Sequence, residues 1–172
     1  MRKHANPADS AYSFRIPTAR PLFRDAVWTA VFSDKGLRTL AVTHSRSGAK
    51  TPPSSAREPR LTELKSVIRA RLAGRDVNLP FDDFDLSGAP AFSLRVWQAL
   101  YRIPFGQTRT YGDIACDAGS PLGARPCGQA CGGNRIILLI PCHRVVASAG
   151  IGGFGCGLEW KRALLSLEGV IL

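Results

Sequence analysis

The sequence predicts an α+β fold: a small N-terminal α/β lobe with an antiparallel sheet, followed by a mostly helical C-terminal domain carrying a helix-turn-helix outline. Three observations predict it. Residues 26–32 and 37–42 are apolar and β-favouring and flank the turn chemistry Ser33-Asp34-Lys35-Gly36. Leu61, Leu64, Ile68 and Leu72 recur at helical spacing and stop at Gly74, a natural C′ residue. Beyond residue 90, Phe92, Val96, Ala99, Leu100 and Ile103 trace an amphipathic helix that ends before Pro104-Phe105-Gly106.

Taken in order, residues 1–24 have no clear period and are rich in Pro and Arg, which reads as a loosely structured lead-in. Residues 25–86 make the N-terminal lobe, a two-stranded hairpin with the 61–72 helix packed on it; residues 44–60 between them form a Ser/Pro/basic loop. An acidic stretch at 81–90, bounded by Pro and Gly, is the candidate boundary, and residues 87–172 make the second domain. There Thr110 can cap a short helix through Tyr111, Ile114 and Ala115 that ends near Gly119-Ser120-Pro121. A second segment of small residues, 123–132, follows and completes the helix-turn-helix outline.

Composition narrows the function classes. The chain has 172 residues, 45% hydrophobic and 21% charged, an ordinary globular balance. No stretch approaches the roughly 20 apolar residues that span a bilayer, and the first twenty residues lack the apolar core of a signal peptide. A cytoplasmic protein without membrane contact is expected. The net charge of +10 favours a phosphate-bearing partner. That charge is uneven: residues 1–80 carry 15 Lys+Arg against 6 Asp+Glu, and residues 81–172 carry 8 against 7. The second half must therefore recognise such a partner with a few placed groups.

All five cysteines lie in that second half, an odd number that argues for free thiols in a reducing compartment. Cys127 and Cys131 could form half of a metal site, but no second pair stands at zinc-finger spacing, so no metal is expected. Cys142 and His143 stand where the apolar run 136–140 ends, in Pro141-Cys142-His143-Arg144-Val145-Val146. A free thiol is only a few per cent ionised at neutral pH, and a neighbouring imidazole can raise its usable nucleophilicity. On general grounds the pair alone more often reads as a buried small hydrophobe beside a satisfied imidazole.

The surrounding pattern is more specific. Residues 92–169 resemble the O6-alkylguanine-DNA alkyltransferases (methylated-DNA–protein-cysteine methyltransferases) in five pieces that agree in order and spacing. They are Val96-Trp97-Gln98-Ala99-Leu100, the run from Gly106 through Thr110-Tyr111-Gly112-Asp113-Ile114-Ala115, Ala124-Arg125 with Gly128-Gln129-Ala130 and Asn134, the Pro-Cys-His-Arg-Val motif, and Gly152-Gly153-Phe154-Gly155 continuing through Gly157-Leu158-Glu159, Lys161 and Glu168-Gly169. The N-terminal half resembles that family's variable lobe only in outline.

The resemblance implies a ribonuclease H-like first lobe and a winged-helix-like second domain. It also implies single-turnover DNA repair: irreversible transfer of a methyl or alkyl group from O6-alkylguanine to an internal cysteine after base flipping, with O4-alkylthymine left open as a further substrate. Cys142 would be the acceptor, His143 the base acting through a water, Glu168 the group that orients the imidazole, and Asn134 a tie between the active-site turn and the DNA-reading helix. Arg125 would fill the space left by the extruded base in the minor groove. Tyr111 would donate to the guanine ring, and Val145, Phe154 and Gly155 would wall the base pocket. The partner would be double-stranded DNA bound by a monomer, with no cofactor, metal or obligate protein partner.

Several positions depart from the family pattern. Phe154 stands where Tyr is usual, Arg135 where Pro commonly follows Asn, and Ser120 where Asn is frequent; the loop after Val146 is one residue shorter. Two other readings compete with alkyl transfer: a lesion-binding protein without chemistry, against which Cys142 argues, and a Cys-His hydrolase, which leaves Tyr111 and Arg125 unused.

Overall fold

The computed structural model describes residues 9–44 and 59–171. The expected loop between the hairpin and its helix lies mostly outside these residues, as do the first eight of the lead-in.

The hairpin forms as its sequence demands. Strands β2 (Ala26–Ser33) and β3 (Gly36–His44) pair antiparallel, with Ser33 opposite Gly36 across Asp34-Lys35. The lead-in differs from expectation. Residues Ser10–Arg15 form strand β1, antiparallel on the other edge of β2, and Pro21–Arg24 form a one-turn helix, α1. The cause is an alternation of Tyr12, Phe14 and Ile16: Phe14 and Ile16 are buried in the core and Tyr12 packs against it. The result is a three-stranded sheet in the order β1-β2-β3.

Helix α2 (Pro59–Leu72) buries Leu61, Leu64, Val67, Ile68 and Leu72 in the same core as Trp28, Ala30 and Phe32 of the sheet. Pro59 opens it, where the ring's missing N–H costs nothing. The acidic stretch is also more structured than a connector. A 3₁₀ turn at Phe81–Asp83 precedes a bridge between Phe84 and Leu37, and Asp85 N–H donates to Leu37 O (2.9 Å). The buried Asp85 carboxylate then accepts from Ser33, Arg38 and Ser87.

Beyond it come α3 (Ala91–Tyr101), β4 (Arg109–Thr110), α4 (Tyr111–Asp117), α5 (Ala124–Gly132), β5 (Val145–Val146) and α6 (Leu158–Leu167). Thr110 caps α4 in a reciprocal box with Asp113, an arrangement that stabilises a helix by about 1 kcal/mol. The strands β4 and β5 pair in parallel and join α4 to the segment holding Cys142. One core cluster runs through both halves, and Leu40 of β3 exchanges backbone hydrogen bonds with Arg135 and Ile137. The architecture is α+β with a small antiparallel sheet. Among the described residues no helix is long and apolar enough to cross a membrane.

Candidate active site

Residues Ile136–Ile140 are buried or nearly so, yet they form neither helix nor strand, and Leu138 has φ of 70°. A non-glycine residue there costs of order 1–3 kcal/mol and persists only where its surroundings over-determine it. Asn134 supplies much of that restraint. Its Nδ2 donates to Ile140 O (2.7 Å) and to Cys142 Sγ (3.2 Å), and its Oδ1 accepts from Ile136 N–H (3.0 Å). One amide thus clamps both ends of the run and touches the thiol.

Residues Cys142–Arg144 make a single 3₁₀ turn rather than part of a helix or strand. In this turn Cys142 lines a cavity of about 180 Å³ with Tyr111, Gly128, Cys131, Gly132, Gly153, Phe154 and Gly155. His143, fully buried, sets its Nε2 2.9 Å from Glu168 Oε1, and its Nδ1 is buried with no hydrogen-bond partner among the described residues. Arg144 donates through Nε to Glu168 Oε2 (2.7 Å), through Nη2 to Oε1 (2.9 Å) and through Nη1 to Ile103 O (2.6 Å). Glu168 stands at the C-cap of α6, the end where a negative charge is least welcome, and these donors compensate it.

The electrostatics follow from burial and partners. Burial raises the Cys142 thiol to about 11, against the Asn134 amide and Lys161, which favour the thiolate. Burial lowers the His143 imidazole; Glu168 opposes this, while Arg144 and Arg71 add to it, so the ring is neutral at pH 7. Burial raises the Glu168 carboxyl, but the hydrogen bonds from His143 and Arg144 outweigh it and hold the group at about 2. The resting site therefore combines a protonated thiol, a neutral imidazole and a charged carboxylate.

A sequence family model, the 6-O-methylguanine DNA methyltransferase DNA-binding domain, matches residues 91–170. A methylated-DNA–protein-cysteine methyltransferase of Mycobacterium tuberculosis is 42% identical over 134 residues, covering 77% of this chain and 78% of its own. The chain belongs to the methylated-DNA–protein-cysteine methyltransferase family. A relative of that name from Methanosarcina acetivorans is 36% identical over 141 residues, covering 79% of this chain and 87% of its own. The crystal structure of Mycobacterium tuberculosis OGT in complex with DNA aligns with a TM-score of 0.73 and 33% identity over 92% of this chain and 91% of that one.

Within this methyltransferase family member, the structure gathers Cys142, His143, Glu168, Asn134, Tyr111, Phe154 and Gly155 around one cavity and its back wall. The Tyr111 hydroxyl points at Gly153 O (3.4 Å), and burial raises its pKa, which keeps it a donor. Gly152 permits that approach: with φ of 70°, a Cβ there would stand 3.0 Å from the Tyr111 ring. Val145 is not brought to the cavity wall. It is fully buried, and its carbonyl accepts from Lys161 Nζ. Arg125 is also outside the cavity, exposed in the first turn of α5.

Two cations of the motif, Arg144 and Lys161, are buried and take part in the site. The buried Arg144 orients Glu168, and the fully buried Lys161 joins Val145 O to Gly153 O (3.0 Å), tying the turn after Cys142 to the Phe154 loop. Burial lowers the Lys161 ammonium to about 8, the nearby Cys142 and Cys131 opposing. The spacing of Lys161 and Glu168 along α6 puts both on the face toward the Cys142 turn, but nothing in the sequence marks Lys161 or Arg144 as buried.

Proposed function

We propose that this protein repairs double-stranded DNA by direct, irreversible transfer of a methyl or alkyl group from O6-alkylguanine to Cys142, one turnover per molecule. The observation that carries the reading is the Cys142 thiol on the cavity wall, backed by a neutral, carboxylate-anchored imidazole whose second nitrogen has no partner among the described residues. O4-alkylthymine presents the same exocyclic ether and is the second substrate in this reading.

In the reaction the thiol proton passes through a water to His143 Nδ1, and the imidazolium gains its countercharge from Glu168. Because the resting thiol is protonated, the thiolate forms as the lesion is engaged. The sulfur attacks the alkyl carbon in line, the carbon–oxygen bond breaks, and its electron pair stays on guanine O6. Tyr111 donates to the ring to relieve that charge. The stable thioether on Cys142 ends the protein's activity. Asn134 holds the acceptor sulfur throughout, and Phe154 and Gly155 wall the base pocket together with Tyr111.

The alkylated oxygen is inaccessible inside a stacked duplex, so the nucleotide must be extruded, and a poorly pairing lesion costs less to extrude. In this reading α4 and α5 are a helix-turn-helix of a winged-helix-like domain, residues 87–172, that docks in the minor groove. The small residues Ala124 and Gly128 on α5 permit close backbone approach, and the exposed Arg125 fills the vacated stack. Residues 25–86, with the strand at 10–15, form a ribonuclease H-like lobe that buttresses it. The protein acts as a cytoplasmic monomer, on the nucleoid if the cell is prokaryotic.

The test is incubation of the reduced protein with duplex containing O6-methylguanine, followed by intact-mass analysis and peptide mapping. One methyl on Cys142 is expected, and Cys142→Ala keeps affinity for the lesion while losing all transfer. Unaltered DNA, or a methyl on any other side chain, overturns the proposal.

A further inference from the structure

The N-terminal lobe reaches the back of the active site through one buried cation. Arg71, in the last turn of α2, has a side chain only 2% exposed, and its Nη1 pairs with Asp76 Oδ1 at 3.1 Å. Asp76 is itself 66% exposed, and Arg71 Nε is buried with no hydrogen-bond partner among the described residues. That is a costly way to keep a guanidinium, because a buried charge needs its hydrogen bonds met. Stability of the lobe alone gives no reason for it.

What Arg71 faces is the relay. The Phe105 ring is shared by two guanidinium groups, with Arg71 Cζ 5.8 Å and Arg144 Cζ 5.6 Å from its centre. Arg144 is the group that grips Glu168 through two hydrogen bonds. The backbones close up around the same point: Gly74, just past α2 with φ of 74°, sits where a Cβ would come 2.8 Å from Leu167 O, one residue before Glu168. The Gly106 N–H, next to Phe105, donates to Glu168 Oε2 at 3.3 Å.

We propose that Arg71 is a positioning residue for the transfer reaction: from the N-terminal lobe, through Phe105 and Arg144, it fixes the Glu168 carboxylate and thereby the His143 imidazole. This rests on the reading of His143 and Glu168 as the proton relay given above. Such a contact explains why the lobe is joined to the catalytic half at the end of α6.

Arg71 also bears on His143 electrostatically. The charged groups that face the imidazole are Glu168 at the end of α6, Arg144 in its own turn and Arg71 on α2; Lys161 of α6 acts on Cys142. The two guanidinium groups disfavour the imidazolium and keep the ring in its proton-accepting form. Removing one of them raises the affinity of His143 for a proton, so the acid limb of the rate profile moves to higher pH.

The experiment measures single-turnover methyl transfer from O6-methylguanine duplex between pH 5.5 and 8.5 for wild type, Arg71→Met, Arg71→Lys, Phe105→Leu and Glu168→Gln, with His143 titrated by NMR in the full-length protein. Arg71→Met should lose about threefold in rate at pH 6, with the two rates converging by pH 8.5, and should show the matching rise in the His143 titration. Arg71→Lys should restore the wild-type limb. Phe105→Leu keeps both charges and removes the shared ring; it should lower the rate equally across the pH range by loosening Glu168, and it carries the test if Arg71→Met does not fold. A folded Arg71→Met with wild-type limb and titration, or a Phe105→Leu that transfers at the wild-type rate, overturns the proposal. If Glu168→Gln also leaves the profile unmoved, the relay itself has failed and not only the part given to Arg71.

Discussion

Two buried carboxylates, one in each half of the molecule, have similar surroundings and different consequences. Asp85 accepts from Ser33 Oγ (2.6 Å), Ser87 Oγ (2.5 Å) and Arg38 Nε (2.9 Å). Glu168 accepts from His143 Nε2 and from Arg144 through both its oxygens. Burial pushes both groups up, and in both the hydrogen bonds outweigh it and hold the carboxyl well below its ordinary range. The difference is in what the partners can do next. Two hydroxyls and a guanidinium do not titrate near neutrality, so Asp85 is a clasp that fastens residues 84–87 to β3. Glu168 has an imidazole among its partners, and the other nitrogen of that imidazole is free to take a proton.

Substituting each acid by its amide breaks the comparison most directly. Glu168→Gln should slow single-turnover transfer by about a hundredfold, the lower range for loss of general-base function. Asp85→Asn should leave the transfer rate of the folded protein unchanged and reduce stability to urea by about 1.5 kcal/mol, the lower range for loss of a hydrogen bond to a charged group. Equal effects on rate would mean that the two acids are both structural supports.

Arg125 sharpens the contrast between the cavity and the surface that delivers the base to it. It is exposed on α5 and does not line the cavity. Arg125→Ala should therefore weaken repair of duplex by about tenfold, a loss near 1.4 kcal/mol, while reaction with free O6-alkylguanine base stays at the wild-type rate. Equal loss on both substrates would place Arg125 in the chemistry of the pocket and remove the argument for extrusion.

The two halves also differ in how much of them could be read from the chain. The hairpin, the α2 helix and the Thr110 cap depend on local spacing, and they form where the spacing puts them. Strand β1 was hidden because Pro and Arg around residues 15–24 outweighed the alternation of Tyr12, Phe14 and Ile16. The bond from Asp85 to β3 joins residues 48 apart in sequence and leaves no periodic trace. In the site, the motif put Cys142, His143 and Glu168 in one neighbourhood. It said nothing of Arg71, Arg144 or Lys161, because charged residues default to the surface and only the assembled fold reveals that they are buried. The left-handed Leu138 is likewise set by the Asn134 clamp rather than by its own preference.

Acid unfolding separates the same two carboxylates by a smaller effect. A carboxyl whose folded pKa is depressed contributes stability that is fully present above its unfolded value and is lost as pH falls through the folded one. Glu168, held at about 2, thus contributes from just above pH 4.5 upward and loses that contribution toward pH 2; Asp85 behaves alike from a starting point near pH 4. His143 works in the opposite sense: its pKa is lowered, so protonating it below neutrality favours the unfolded chain. In wild type the two effects add, and urea stability should fall in two stages, a shallow one from about pH 6.5 and a steeper one below pH 4.5. Asp85→Asn should weaken only the lower stage. Glu168→Gln should weaken the lower stage and steepen the upper one, since the imidazole then has lost the group that favoured its protonated form. Urea titrations at half-unit pH steps give both slopes, and an upper stage that does not respond to Glu168→Gln would mean that the carboxylate and the imidazole titrate independently.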